Sequence, residues 1–267
     1  MRNFIPVIIT RFNVPTEKWN TTRDGKPALT EEWLRDRFQL FKRLCLPSFK
    51  NQSHQDYVWL VFFDVATPME FRDMIQEIHE VYPVFKPVFV NDFLEMQQKV
   101  KEIAPTYCMG DIEYVISAEI DNDDLLHQDY VQTLCNLFQP THNLVLDIRK
   151  GYQMSLVSSN EILVNEYYVI ANPFVALIEA KDKFESILKG NHRFYRDYKD
   201  VLPYDKSPMF IQTIHGNNLM NDVYATKYIK NPDLASFAIK DLKILKMKTV
   251  VKNAKHYFNI IKKMIRK

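Results

Sequence analysis

The chain has 267 residues, 46% of them hydrophobic, enough for one large domain or two small ones with a substantial core. Its five glycines are too widely spaced for a dinucleotide fingerprint or a P-loop, and its three cysteines form no CxxC pair, which argues against a disulfide framework or a zinc site. The net charge is +2, but residues 240–267 contain ten lysines or arginines and one acid, so the rest of the chain has a net charge of −7. No stretch approaches the roughly 20 apolar residues of a membrane span, and the first apolar run is too short for a signal peptide, so we expect a cytoplasmic protein.

The first half of the chain alternates predicted strands and helices. Continuous apolar runs predict strands at 4–12, 57–64, 85–92 and 112–121. Helical spacing predicts helices from the N-cap Thr30 to Pro47, from Pro68, over 93–103 and over 127–138. This alternation predicts an α/β fold with a mostly parallel sheet that is covered by helices on both faces.

The second half is richer in predicted strands and ends in a basic helix. Residues 143–157 predict a strand or hairpin, 161–180 antiparallel strands added to the sheet, 182–208 helix and loop, and 209–222 a short strand that enters a loop at His215. In the tail, apolar residues recur at helical spacing at positions 247, 250, 251, 254, 257, 258, 261, 264 and 265. Such an amphipathic, lysine-rich helix can lie on an anionic membrane surface; the alternative is a helix packed on the body with solvated lysines. Nucleic acid is not an expected partner, because the acidic body repels phosphates.

An acidic cluster, E-I-D-N-D-D at 119–124, follows the fourth predicted strand. Ligands of parallel sheets bind beyond the carboxyl ends of the strands, where we also expect Thr10, Arg11 and Asp64. The alternating Asp121 and Asp123 can bind one Mg²⁺ or Mn²⁺ ion. An EF-hand is excluded, because a leucine stands at loop position six, where glycine is required. The alternative interpretation is that Asp123 or Asp124 caps a helix starting near Leu125.

The segment IDNDDLLHQDYV (120–131) resembles the D-x-D-D segment of GT-A-fold nucleotide-sugar glycosyltransferases. A set of further motifs is similar, more narrowly, to a bacterial rhamnosyltransferase family. These motifs are TRFNVP (10–15), LTEEWLRDRFQLFKRLCLPSFKNQ (29–52), WLVFFD (59–64), NPFVALIE (172–179) and IQTIHGNN (211–218). The resemblance thus spans residues 10–218. The chain departs from the family pattern at Glu119, where a basic residue usually precedes the cluster.

The resemblance implies a GT-A-like, Rossmann-like fold and a metal-dependent enzyme of surface polysaccharide synthesis. It would transfer a sugar, with rhamnose as one candidate, from a nucleotide-diphosphate donor to a saccharide or lipid-linked acceptor, with Mn²⁺ or Mg²⁺ as cofactor. Residues 1–155 would bind the donor, 156–235 the acceptor, and 236–267 would form the tail helix. The implied site residues are Asp121 for the metal or the donor ribose, Asp123 and His215 for the metal, Asp124 for the donor sugar, and Thr10, Arg11 and Asp64 for the nucleotide base.

Several assignments have alternatives. An inverting enzyme needs a general base; Glu179 is the first candidate, with Asp222 and Glu166 behind it, although a glutamate that ends an apolar strand is by default solvated. His215 could be a structural histidine and Asp64 a turn residue. Other functions compatible with an apolar strand followed by D-x-D are phosphoryl transfer of the haloacid dehalogenase kind and a Ca²⁺-dependent carbohydrate- or membrane-binding module. A sugar nucleotidyltransferase would need a glycine-rich N-terminal loop, which the sequence lacks.

Overall fold

A computed structural model describes residues 3–16, 29–215 and 226–265. The strands in chain order are β1 (Phe4–Arg11), β2 (Val58–Asp64), β3 (Phe85–Val90), β4 (Tyr114–Glu119), β5 (Leu125–Leu126), β6 (Leu144–Ile148), β7 (Lys150–Leu156), β8 (Glu161–Tyr168), β9 (Ala176–Ala180), β10 (Val201–Tyr204), β11 (Phe210–Ile214) and β12 (Lys243–Ile244). The helices are α1 (Glu31–Leu40), α2 (Leu46–Lys50), α3 (Met69–Val81), α4 (Phe93–Ile103), α5 (Tyr130–Asn136) and α6 (Lys246–Ile265), and a π-helical turn (Phe41–Cys45) joins α1 to α2. In the described part of the chain, no helix is both long and apolar enough to cross a bilayer.

The central sheet has seven strands in the order β10–β6–β9–β4–β1–β2–β3. Strands β1 to β4 are mutually parallel, and β6 pairs in parallel with β10. Strand β9 is inserted between β4 and β6 and runs antiparallel to both. The prediction of a mostly parallel α/β sheet is therefore confirmed, and β9 is its antiparallel addition from the second half. β8, which was also predicted to join this sheet, lies in a second sheet, and β10 forms where helix and loop were predicted.

A second sheet has the order β12–β8–β7–β11–β5. Residues 143–157, predicted as one strand or hairpin, divide between the two sheets: β6 pairs with β9 and β10, and β7 with β8 and β11. The hairpin alternative is therefore wrong. Where the chain passes between the sheets, the buried carboxylate of Asp147 accepts hydrogen bonds from the nearby Arg149 and from the backbone N–H of Ala171, which lies 24 positions later, so the crossing depends partly on a partner distant in sequence.

Two helix boundaries also differ from prediction. Thr30 caps α1 as expected, accepting a hydrogen bond from the backbone N–H of Trp33. Pro47 does not end the helix; it lies in the first turn of α2, directly after the π-helical turn, and the helix continues to Lys50. Leu125 and Leu126 do not begin a helix, because they pair with β11, and α5 begins at Tyr130.

Hydrophobic clusters cover both faces of the central sheet. Alternate residues of β1 show this division: Phe4 and Ile8 pack on the side of α1, α3 and α5, whereas Ile5, Val7 and Ile9 pack on the side of α4. A third cluster lies on the second sheet and includes Leu125 and Phe237. Strands β9 and β10, which come after residue 155, share the central sheet with the first half of the chain.

Candidate active site

The carboxyl ends of β1, β2 and β4 lie side by side, and the chain segments that follow them meet there. Backbone hydrogen bonds from Phe12 to Phe62 and from Ile120 to Ile9 continue the pairing past the strand ends. The side-chain amide of Asn122 then donates to the carbonyl of Phe12 at 2.8 Å. The acidic cluster is thus held at the edge of the sheet where a parallel α/β fold binds its ligands.

Asp123 is the centre of this site and is 3% exposed. Its Oδ2 lies 2.8 Å from Nε2 of His215, which the chain brings from the end of β11. The same oxygen forms an ion pair with the guanidinium of Arg37 at 2.5 Å. Burial alone would raise the pKa of Asp123, but Arg37 and His215 hold this pKa well below its usual range. Asp123 is therefore ionised at neutral pH, and the predicted meeting of Asp123 with His215 is observed.

Arg37 was not predicted as a site residue. It lies on the buried face of α1 with only 6% exposure, stacks on Trp33 at 5.0 Å, and also donates a hydrogen bond to Oδ1 of Asn122 at 3.1 Å. A signal was present in the sequence: Arg37 occupies the apolar stripe of α1 together with Trp33, Leu34 and Phe38. A charge in such a stripe needs a buried partner of opposite sign.

Asp124 has a different environment from Asp123. It is 1% exposed, and its Oδ1 accepts a hydrogen bond from the backbone N–H of Thr213 at 2.8 Å. Burial, followed by the charges of Asp123 and Asp121, raises the pKa of Asp124 well above its usual value. The side chain ties β11, and with it His215, to the cluster. Neither a donor-sugar contact nor a helix cap at residue 125 matches this position.

Asp121 is exposed at the surface of the site, whereas Cys45, which lies behind it, is fully buried. The thiol of Cys45, the last residue of the π-helical turn, donates to the carbonyl oxygen of Asp121 at 3.9 Å. Burial and the charges of Asp124, Asp123 and Asp121 raise the pKa of Cys45 well above its usual value. Cys45 is therefore a neutral packing residue and not a nucleophile.

Glu119 and Arg11 form the side of the site that faces α4. Glu119 is half-buried, and the guanidinium of Arg11 lies 6.0 Å from the ring centre of Phe93. Burial and the charge of Asp121 raise the pKa of Glu119 to about 7, against the opposing influence of Arg11. The positive charge of Arg11 thus partly offsets the negative charges of Glu119, the residue that departs from the family pattern, and of its neighbour Asp121.

Thr10 and Asp64 already have protein partners. The buried hydroxyl of Thr10 donates to the carbonyl of Ile120 and accepts from Nε1 of Trp59, so Thr10 acts inside the core and does not face a nucleotide. Asp64 stands at the expected edge of the sheet, but its Oδ1 accepts from the backbone N–H of Ala66 at 2.8 Å, as a turn residue does.

Glu179 does not belong to the site. In the antiparallel β9 it lies opposite Val115, near the start of β4, and thus at the edge of the sheet away from the acidic cluster. It is fully buried and paired with Lys189 at 3.0 Å. The structure therefore does not support Glu179 as the general base. Glu166 is exposed beside Lys227, and Asp222 lies outside the described residues.

The described side chains include no group of three or more His, Cys, Asp or Glu that could hold a metal ion. Asp123 and His215 are nevertheless adjacent, and a carboxylate oxygen is a ligand that suits both Mg²⁺ and Mn²⁺. Two protein ligands also fit a cation that takes its other ligands from a substrate diphosphate and water. The pair is thus compatible with the predicted cofactor.

Comparison with protein families gives one result that covers most of the chain. The sequence pattern of the family described as "Putative rhamnosyl transferase" matches residues 6–227. The chain belongs to this family. The residues that match the rhamnosyl transferase family include Arg37, the whole acidic cluster and His215, and end before α6. No curated protein matches the chain.

Solved structures similar to this rhamnosyl transferase family member are distant. S. aureus TarS 1-349 in complex with UDP-GlcNAc is 13% identical, with a TM-score of 0.45, over 84% of this chain and 62% of that chain. A protein from Desulfovibrio desulfuricans G20 described as "putative nucleotide-diphospho-sugar transferase" is 12% identical, with a TM-score of 0.36, over 81% and 84% of the two chains. The inositol-1-phosphate CTP transferase from T. maritima is 11% identical, with a TM-score of 0.34, over 79% and 89%. The chain spans about 60% of the length of the TarS 1-349 chains.

Proposed function

We propose that the chain is a GT-A-type glycosyltransferase that moves a sugar from a nucleoside diphosphate to a hydroxyl group of a saccharide or lipid-linked saccharide. The meeting of Asp123, His215 and Arg37 at the carboxyl edge of the sheet, inside the residues that match the family, is the observation that supports it. These three side chains come from distant parts of the chain. Folding alone does not require a buried carboxylate that is paired with an arginine and a histidine at a ligand-binding edge.

The charges of the site suit a diphosphate that is bound through cations. Carboxylates alone would repel phosphate, and the chain has no glycine-rich loop to bind phosphate through backbone amides. Asp123 and His215 would hold Mn²⁺ or Mg²⁺, and the metal, when bound, would act as a Lewis acid toward the departing diphosphate. Arg37 keeps Asp123 ionised, and Asp124 keeps β11 in place, so that His215 stays beside Asp123. Arg11 adds a positive charge near Glu119 and Asp121.

The reaction would exchange one bond at the anomeric carbon. The bond from that carbon to the diphosphate oxygen breaks, and its electron pair leaves with the nucleoside diphosphate. The acceptor oxygen bonds to the carbon and gives its proton to a base, for which Asp222 remains a prediction. The transition state has oxocarbenium-ion character, so negative charge on the leaving group is what the site has to stabilise. We propose inversion at the anomeric carbon and rhamnose as the first sugar to test, because the family description names it.

Nucleotide binding is the first test. The melting temperature of the chain is measured with UDP, dTDP and GDP, each with and without Mn²⁺. A ligand that binds only the folded chain stabilises it by about 2.7 kcal/mol at a hundred times its dissociation constant. We expect at least one nucleoside diphosphate to raise the melting temperature, more strongly with Mn²⁺, and the Asp123→Asn variant to lose this shift.

The control is Asp73→Asn, an exposed aspartate on α3 away from the site, which should keep the shift. The absence of a shift with all three nucleotides, or an equal shift in Asp123→Asn, would contradict the proposal.

Release of nucleoside diphosphate from a panel of sugar nucleotides then separates an enzyme from a binding module. Hydrolysis of a phosphomonoester without use of any sugar nucleotide would favour the phosphoryl-transfer alternative.

A further inference from the structure

The C-terminal helix α6 contacts the body through its polar side. Thr249 is fully buried, and the side-chain amide of Asn253 donates to the carbonyl of Tyr228 at 2.8 Å while its oxygen accepts from the N–H of Tyr228 at 2.7 Å. Lys252 lies over the ring of Tyr228 at 5.8 Å. An amphipathic helix of a globular protein normally buries its apolar stripe. The start of α6 does the opposite.

The apolar residues at the start of α6 face solvent. Met247 is 80% exposed, Val251 is 52% exposed, and Val250 and Ala254 are also exposed. At about 100° per residue, these four positions form a stripe roughly 100° wide, on the side of the helix away from Thr249 and Asn253. We call these four residues the apolar stripe. It is contiguous, whereas the other exposed apolar side chains of the described residues are scattered over several elements.

The charge around the apolar stripe has one sign. The sequence of α6 contains six lysines and no acidic residue, and Lys246 and Lys248 are exposed beside the stripe. The rest of the chain, outside residues 240–267, has a net charge of −7. Two copies of such a helix would repel each other, which disfavours a dimer through the stripe. A nucleic acid would gain no favourable contact from the exposed apolar side chains, and the acidic body would repel its phosphates.

We propose that the apolar stripe and its flanking lysines are a docking surface for an anionic lipid membrane. Apolar side chains would enter the boundary between headgroups and acyl chains, and the lysines would contact anionic headgroups. Because the body is acidic, the basic helix is the part of the molecule that such a membrane attracts. The docking would be peripheral.

The attachment of α6 gives the docked molecule a defined orientation. β12 precedes the helix directly and pairs with β8 of the second sheet. That sheet also contains β11, the strand that leads to His215. Arg43 additionally pairs with Asp241 at 3.0 Å, just before β12. A membrane bound to α6 would therefore lie at a fixed distance and orientation relative to the candidate active site.

The test is co-sedimentation of the full chain with vesicles, without any nucleotide or sugar. We expect binding to vesicles of equal parts phosphatidylglycerol and phosphatidylcholine, weaker binding at high salt, and at least tenfold weaker binding to phosphatidylcholine alone. The double variant Met247→Gln/Val251→Gln should weaken binding to the anionic vesicles at least tenfold, and Lys246→Gln/Lys248→Gln should weaken it in a salt-dependent way. The matched control Val81→Gln/Met109→Gln removes two apolar side chains that are 75% and 76% exposed elsewhere, and should bind as the parent chain does.

Equal binding to both kinds of vesicle, no binding, or an equal loss in the control would overturn the proposal. Sedimentation velocity identifies the competing occupant: if the parent chain is a dimer and Met247→Gln/Val251→Gln is a monomer that binds vesicles unchanged, the stripe binds a second copy. Circular dichroism spectra checked for all variants exclude unfolding as the cause. Asp123→Asn should bind vesicles normally, so failure of the docking surface and failure of the proposed glycosyl transfer are distinguishable.

Discussion

The ion pair between Arg37 and Asp123 is buried in the site. Both side chains are nearly inaccessible to solvent, so neither charge could be satisfied by water if its partner were lost. Arg37→Met should therefore lower the free energy of unfolding by about 3–5 kcal/mol. It should also raise the pKa of Asp123, because the guanidinium is the main group that lowers it. Urea denaturation near neutral pH measures the first effect.

Arg35→Met is the matched control for Arg37→Met. Arg35 lies two positions earlier on α1 and pairs with Glu70 at 2.9 Å, but both side chains are more than half exposed. An exposed pair contributes about 0–1 kcal/mol. Equal losses of stability in the two variants would show that Arg37 does not act through a buried charge pair.

Glu119 gives a prediction about pH. Its pKa is about 7 in the folded chain against an ordinary value of 4.5, so the folded chain holds the proton more strongly than the unfolded chain does. The stability this contributes is fully present below pH 4.5 and is lost as pH rises through 7. Glu119→Gln imitates the protonated form, so it should leave stability almost unchanged at pH 4.5 and increase it, relative to the parent chain, at pH 8.

Chemical denaturation of both proteins at these two pH values, in EDTA to exclude bound metal, measures the difference for Glu119→Gln. Because the comparison is between two proteins at each pH, other titrating groups cancel. A difference in unfolding free energy that is the same at both pH values would refute the assignment of the raised pKa to Glu119.

At the scale of elements, the sequence predicts what depends on local pattern. The first four strands and α4 are found within two residues of their predicted limits, because continuous apolar runs and helical spacing are properties of the segments themselves. The predictions that were wrong concern residues whose structure depends on partners distant in the sequence. Leu125 and Leu126 form a strand because β11, more than 80 positions later, pairs with them, and Thr10 is occupied by Trp59 and Ile120.

The direction of β9 explains the misplaced general base. A glutamate at the end of a parallel strand would stand at the carboxyl edge, beside the acidic cluster. Strand β9 enters the sheet antiparallel, so Glu179 ends at the opposite edge, where Lys189 and the backbone N–H of Ser186 bind it. Nothing in the segment ALIEA encodes this direction, because it is set by the neighbours β4 and β6.

Glu179→Gln should therefore behave as a structural variant. Removing one charge of a buried pair leaves Lys189 without its counter-charge, and we expect a loss of about 3–5 kcal/mol of stability. The increase in melting temperature caused by nucleotide, measured against the variant's own baseline, should be retained. The measurements are urea denaturation and the nucleotide-dependent thermal shift. Loss of the nucleotide shift in a folded Glu179→Gln would return Glu179 to the active site.

At the scale of the whole molecule, the site combines parts that local pattern cannot join. Arg37, Asp123 and His215 lie on separate elements, and only the resemblance to a family indicated that an aspartate and a histidine 92 positions apart would meet. Arg37 could have been suspected from its place in an apolar stripe, but its partner could not. The tail was predicted as an amphipathic helix; the structure adds which side of that helix faces the body.

The amide of Asn253 should decide how firmly α6 is held on the body without deciding whether α6 binds lipid. Its side-chain amide bonds both the backbone N–H and the backbone carbonyl of Tyr228, and Asn253→Ala removes both hydrogen bonds. We expect amide hydrogen exchange at Tyr228 and along the start of α6 to become at least tenfold faster, because the lost bonds lower the cost of local opening. Vesicle binding should be retained within about threefold, since the apolar stripe and the lysines are unchanged and each Lys near an anionic surface still contributes about 1 kcal/mol. Faster exchange with unchanged vesicle binding would show that the contacts holding α6 on the body do not determine its affinity for the membrane. A vesicle affinity that falls as far as in Met247→Gln/Val251→Gln would instead mean that the helix binds lipid only while the body holds it in place.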